Sequence, residues 1–343
     1  MRLRGRSFRE IRRQGRAAAG LEVPVETNRS RVVYDGDDAS RARSHDRIHM
    51  SDTSAEFFLE TPGDHGRLRG LAWEVDQPRG RIGIIHGLGD HAARYRHVAE
   101  ELALRGFAVE ALDLPGHGKS TGPRGHVRRW DDYRAAIEMW MKRSESLPGA
   151  ETRAILGQSM GAFVALDWSL GHPNDLRALV LCGAPFEVVL RPSMIKVKAA
   201  QFAAKLWPRF SQGNTILPSM LSRDPDIVRA HSVDPLVHYR ISARLFFEFQ
   251  KMRMELIRRA TELPVDTLII HGGADPISSV VGAQRWAARA GNRVTCRFYP
   301  GLLHEVLNEL ERKDVMQDVV TWLDGVMPGG AGADGKDGTS VRV

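Results

Sequence analysis

A short strand that runs straight into a helix through a glycine-flanked serine constrains this chain more than any other feature. Arg153-Ala154-Ile155-Leu156 reads as a buried strand, and Ala162 to Trp168 carries helical period. Gly157-Gln158-Ser159-Met160-Gly161 joins them. A turn this tight needs residues without side chains two before and two after its apex, and it holds the apical hydroxyl exposed above a sheet. A Gly-x-Ser-x-Gly match alone is a weak signal, and a glycine-rich turn with a serine cap would produce it too. The strand before and the helix after are the context that makes Ser159 a candidate nucleophile.

A serine nucleophile needs a base, and the base needs an acid to orient it. In open α/β hydrolases these follow in the order serine, acid, histidine, each just beyond the carboxyl end of a later strand. Thr267 to His271 is an apolar strand whose exit loop, Gly272-Gly273-Ala274-Asp275-Pro276, holds Asp275. Arg293 to Tyr299 alternates like a final strand, and Pro300-Gly301-Leu302-Leu303-His304 follows it directly. Asp275 alone reads as a turn residue and His304 alone as a helix-start histidine. Three residues in this order, each at a strand exit, are harder to obtain by accident. The expected triad is Ser159, Asp275 and His304.

Acyl transfer also needs donors for an oxyanion, one of them the amide after the nucleophile and one from an early loop. Met160 supplies the first. Ile82 to Ile85 is a buried strand that ends in His86-Gly87-Leu88-Gly89-Asp90-His91, where two glycines let the backbone bend, so the Leu88 amide is the second choice. Neither phosphate-cradling glycine pattern is present, which argues against a nucleotide. No Cys/His cluster has zinc spacing, so neither metal nor other cofactor is expected.

Several spaced motifs now resemble one family. His86-Gly87-Leu88-Gly89-Asp90-His91-Ala92-Ala93-Arg94-Tyr95 is similar to the His-Gly-x-x-(Glu/Asp)-His-x-x-Arg-Tyr segment of monoacylglycerol lipases and lysophospholipase-like hydrolases, grouped under a serine aminopeptidase-type heading. Asp113 to Ser120 resembles that family's Asp-x-x-Gly-His-Gly-x-Ser loop. Leu221 to Pro225 and Asp234 to Val237 resemble its cap region, and Gly301 to Glu309 the segment carrying its histidine. The likeness spans residues 55–325 and implies a serine ester hydrolase with the triad and oxyanion donors already chosen. The elbow departs from the family at two places: Gln158 stands where a histidine is usual, and Ala162 where a glycine is. Gln158 keeps the capacity to donate or accept a hydrogen bond under the elbow.

Charge points to a tail rather than to a nucleic-acid surface. The formal net charge is +7, yet residues 1–16 hold seven arginines against Glu10 and account for +6 of it. The remaining body is near neutral, so nucleic acid is not an expected partner. The tail could touch anionic lipid or be a solvated leader. It lacks the apolar core of a secretory signal, and no apolar run reaches the roughly 18 residues of a membrane helix. A cytoplasmic chain, with peripheral membrane contact through the arginines, is the expectation. Cys182 and Cys296 fall in predicted strands and read as core residues.

Strands at 81–86, 107–112, 153–157, 177–183, 266–271 and 293–299 alternate with helices near 92–105, 129–147, 160–171, 280–290 and 306–326, behind an opening hairpin at 56–60 and 68–75. The expected fold is therefore an α/β hydrolase: a mostly parallel sheet covered by helices on both faces, with a helical cap insertion. Its core comprises 51–185 and 264–327 and its cap 186–263. Residues 1–50 and 328–343 read as an extension and a flexible tail. Two apolar stripes mark the cap, one from Ile195 to Leu206 and one over Leu245, Phe249, Met252 and Leu256. They either pack on the body or roof an acyl pocket, for which Phe202 and Phe246 are the candidate lining residues. The substrate so read is a small acyl ester, monoacylglycerol- or lysophospholipid-like. An acyltransferase or aminopeptidase would use the same acyl-enzyme, and a hydrolase fold kept only for binding is the alternative of another class.

Overall fold

Strands buried at every position build the centre of the molecule. β3 (Arg81–Ile85), β4 (Ala108–Leu112) and β6 (Ala178–Cys182) are buried throughout, as parallel strands sandwiched between two helical layers must be. The structure, a computed structural model, describes residues 54–61, 66–189 and 194–327. The chain divides into two units, Met1–Asp46 and Arg47–Val343, and every described residue falls in the second. The expectations for residues 1–50 and 328–343 lie outside the described residues.

β1 (Ala55–Glu60) and β2 (Arg67–Trp73) form the opening hairpin, with Leu59 opposite Leu68. With β5 (Arg153–Gln158), β9 (Asp266–Gly272) and β10 (Val294–Tyr299) they complete an eight-stranded sheet of order β1-β2-β4-β3-β5-β6-β9-β10. β3, β4, β5, β6, β9 and β10 run parallel within it, while β2 is antiparallel to both of its neighbours, β1 and β4.

Alternate sheet residues feed two cores. Ile155, Leu179, Leu181 and Ile269 face α2 (Asp131–Ser144) and α3 (Met160–Gly171), where Trp140 and Phe163 are fully buried. Ala154, Leu156, Val180 and Ile270 face α1 (Arg96–Leu104) and α8 (Arg312–Val326). α7 (Val280–Ala290) packs on the first side through Trp286. β4 and β5 lie on opposite sides of β3, so the chain changes direction there; the loops leaving β3 and β5 flank the crevice where open α/β sheets bind ligands.

Between β6 and β9 comes the expected insertion: α4 (Met194–Leu206), β7 (Ser211–Gly213), α5 (Pro225–Val233), β8 (Arg240–Ser242) and α6 (Ala243–Arg258). It is not wholly helical, because β7 and β8 pair as a small antiparallel ribbon. The α6 stripe packs on the body: Leu245, Met252 and Leu256 join the first core, and Phe249 stacks on Phe163 at 5.6 Å. Cys182 and Cys296 are free thiols, one buried and one half-buried. Among the described residues no helix is long and apolar enough to cross a membrane.

Candidate active site

Ser159 sits at the junction of β5 and α3 with φ 54° and ψ −115°, a left-handed conformation that non-glycine residues rarely adopt. The two elbow glycines are needed for close approach. A Cβ on Gly157 would lie 2.5 Å from the Gly161 carbonyl oxygen, and one on Gly161 would collide with the Ile85 carbonyl. The backbone is further tied by the Ser159 N–H, which donates to the Cys182 carbonyl at 2.8 Å. Strain at this position is thus held by the strands on either side.

Asp275 and His304 arrive on the loops after β9 and β10. The His304 Nδ1–H donates to Asp275 Oδ2 at 2.7 Å, which leaves Nε2 for the cleft that His304 and Ser159 both line. Asp275 gathers more donors than the sequence suggested. Its Oδ1 accepts from the N–H groups of Ile277 (2.8 Å) and Ser278 (3.1 Å), and its Oδ2 accepts from the Ser278 hydroxyl at 2.6 Å. His271 Nε2 lies 3.2 Å from the same oxygen. Burial alone would raise the Asp275 pKa, but His304 and these hydrogen bonds hold it far below the usual carboxylate range. Burial likewise opposes the charge on His304, and Asp275 overcomes it, so the imidazole pKa is raised.

The loop after β3 lies against the serine: a Cβ on Gly87 would be 3.3 Å from that of Ser159. His86 shapes this loop from below. Its Nδ1–H donates to the Gly87 carbonyl at 2.7 Å, while its Nε2 accepts from the Leu114 amide at 3.0 Å, an arrangement that only a neutral ring satisfies. Burial pushes its pKa down accordingly. Leu88 lines the cleft. Met160 is the first residue of α3, so its N–H has no partner within the helix.

A buried ion network joins this loop to the histidine loop. Arg94 pairs with Asp90 at 3.0 Å and with Glu305, next to His304, at 2.8 Å; Tyr95 donates to Asp90 at 3.0 Å. Although burial would raise the Asp90 pKa, Arg94 and neighbouring histidines hold it at about 2. The residues were visible in the Asp90 to Tyr95 motif, but nothing local announced Glu305 as their partner. Replacing Arg94 by Met should lower stability to unfolding by about 3 kcal/mol or more, because two buried carboxylates lose their counter-charge. Urea titration of the variant checks this; a midpoint equal to the parent's would contradict it.

Two elements of the insertion complete the cleft. Asn214 and Ile216 follow β7, and His231, His238 and Tyr239 come from α5 and the turn before β8. The His238 N–H donates to the Gly89 carbonyl at 2.9 Å, and Asp234 accepts from His91 Nε2 at 2.9 Å, so the insertion clasps the β3 loop. Gly89 has φ +81°, and a Cβ there would strike the His238 carbonyl. The lining residues expected from the sequence are elsewhere. Phe202 is 62% exposed on α4 and Phe246 is half-buried on α6, and neither lines the cleft. The segments flanking the short β7–β8 ribbon, which is too brief to read from periodicity, line the cleft with the serine instead. Among the described residues no cluster of three or more His, Cys, Asp or Glu could hold a metal.

Comparison with known proteins agrees with this geometry. The family model described as "Serine aminopeptidase, S33" matches residues 76–311. A monoacylglycerol lipase of Mycolicibacterium smegmatis is 34% identical over 258 residues, covering 73% of this chain and 90% of that protein. Phospholipase YtpA of Bacillus subtilis is 28% identical over 74% of this chain and 98% of its own length. The crystal structure of Paleococcus ferrophilus monoacylglycerol lipase superposes with a TM-score of 0.69 at 26% identity, covering 79% of this chain and 98% of that one. The chain belongs to the serine aminopeptidase S33 family of α/β hydrolases, among its monoacylglycerol lipase-like members.

Proposed function

We propose that the chain hydrolyses carboxylic esters of one acyl group on a small polar alcohol, monoacylglycerol foremost, through an acyl-enzyme on Ser159. The observation that carries this reading is the 2.7 Å Asp275–His304 contact beside a serine held at positive φ. Ser159 Oγ attacks the ester carbonyl while His304 Nε2 takes its proton. The Leu88 and Met160 amides receive the oxyanion. The carbonyl re-forms, the alcohol leaves with the proton from His304, and water repeats the cycle to free the acid. Asp275 keeps the imidazole in the tautomer that presents Nε2.

Asp90, Asn214, His231 and Tyr239 line the cleft with Ser159, and such polar groups suit an alcohol with hydroxyls to spare. Names carried by the relatives, monoacylglycerol lipase and phospholipase, support ester over amide cleavage. Measuring kcat/KM on a monoacylglycerol, a diacylglycerol, a lysophospholipid and an aminoacyl amide tests the reading. We expect the monoacylglycerol to rank first and the amide last; an amide that outranks every ester would overturn it.

The arginines of residues 1–16 lie outside the described residues, and their contact with anionic membrane is proposed from charge alone. Deleting residues 1–45 should weaken salt-sensitive adsorption to anionic vesicles while turnover of a soluble short ester stays within about twofold. Adsorption that survives the deletion unchanged would contradict this contact.

A further inference from the structure

Gln158, the residue before the nucleophile, stands where the family usually has a histidine and takes no part in the attack on the ester. It closes β5 and is only 2% exposed. Its Nε2 donates to the carbonyl oxygen of His304 at 3.2 Å, across 146 positions of chain. Its Oε1 is buried and has no hydrogen-bond partner among the described residues. A side chain that only filled space would leave no acceptor orphaned, so the donor end is the part with a task.

That donor holds one side of a peptide unit whose other side is also held. The carbonyl between His304 and Glu305 accepts from Gln158 on β5. The N–H of the same unit, on Glu305, donates to the Leu221 carbonyl of the insertion at 2.8 Å. A peptide unit is planar, so hydrogen bonds on its two edges fix its rotation and with it the direction of the His304 side chain. The ring itself is anchored by the 2.7 Å bond from Nδ1 to Asp275. With that bond alone the imidazole could swing about Nδ1 and carry Nε2 toward or away from the serine. The main-chain anchor removes this freedom.

Gly183 makes room for the arrangement. It has φ +56°, and a Cβ there would lie 2.9 Å from the His304 carbonyl oxygen and 3.2 Å from both Gln158 Nε2 and His304 Cε1. Amide and imidazole therefore share one glycine as a neighbour. The stem of Gln158 runs beside the β3 loop, with its Cγ 3.9 Å from where a Cβ on Gly87 would sit.

We infer that Gln158 is a positioning residue for the base: its amide holds the main chain of His304 so that the imidazole meets Ser159 in the geometry that proton transfer needs. The role rests on the acyl-enzyme reading of Ser159 and is independent of which ester the chain cleaves. Catalysis falls off steeply with such misplacement, and an error of about 1 Å can cost a hundredfold.

The test compares the full chain with Gln158→Met, of similar length but without a donor, and Gln158→His, which returns an N–H at this position. A soluble short ester gives kcat and KM, a fluorophosphonate gives the rate of attack by Ser159, and urea titration reports folding. Gln158→Met should lower kcat by about ten- to a hundredfold and leave KM within about twofold, since the lost contact orders the base and does not bind substrate. Labelling should slow by the same factor, and Gln158→His should regain most of both losses. Should Gln158→Met fail to fold, Gln158→Asn, whose amide ends one methylene short of the carbonyl, should show the same fall in kcat. The proposal is overturned if the variants without the contact turn over and label like the parent, or if the loss lies in KM, which would make Gln158 a substrate contact. A Gln158→His variant as slow as Gln158→Met would overturn it too. A parent that takes the label yet cleaves no ester would sink the ester reading instead, and the labelling rates would still decide the role of Gln158.

Discussion

Ser159→Ala should lower ester turnover by about a millionfold, down to the residual rate that an oxyanion site and binding alone provide. The substitution removes only one oxygen from an elbow whose strain is borne by β5, α3 and the Cys182 carbonyl, so the fold should be untouched. His304→Ala should cost nearly as much. The double variant should be little worse than either single, because the residues act on the same proton and the same bond. Turnover of a soluble ester by purified variants checks this, with the unfolding midpoint as control. Multiplying losses in the double variant would mean that the two residues act in separate steps.

Asp275→Asn should reduce turnover about ten-thousandfold, and it should also move the pH profile. The carboxylate takes hydrogen bonds from Ile277, Ser278 and His304 without donating any; an amide would set an N–H among these donors and favour the wrong imidazole tautomer. The sign of the pH effect follows from the raised pKa of His304, whose attraction to Asp275 outweighs burial. The base must be neutral, so activity falls as pH drops through that raised value. Without the negative charge the imidazolium is less favoured, and the acid limb should shift to lower pH beneath a much lower plateau. A limb that stays in place would show that another group titrates there.

Much of this fold was legible because each strand is a short apolar run closed by a loop with glycine. The run from Ile82 to Ile85 and the run from Thr267 to His271 fall where β3 and β9 do. Helix starts were less clear. Residues 92–95 form a 3₁₀ turn before α1, and 306–308 another before α8, where Glu309 turns inward to accept from Leu303 N–H at 2.7 Å. The same carboxylate accepts from the Arg223 N–H, 86 residues away, a contact that no local pattern encodes. The insertion was the least legible part. Apolar spacing located α4 and α6 but not which side of each faces solvent: Phe249 packs on Phe163, while Phe202 points outward. Ser159, Asp275 and His304 stand out in the sequence because each follows a predicted strand in the order serine, acid, histidine. Their supporting contacts, His271 and Ser278 on Asp275 and Arg94 on Glu305, span separate loops and emerge only in three dimensions.

The central claim, that Ser159 is the nucleophile, is tested most directly by labelling the chain with a fluorophosphonate and locating the adduct by peptide mass mapping. Such a reagent traps a serine only when a neighbouring base has activated it. The expected result is one stoichiometric adduct on the peptide carrying Gly157 to Gly161, lost in Ser159→Ala and strongly slowed in His304→Ala. A chain that hydrolyses esters yet takes no adduct, or takes it on another serine, would contradict the account.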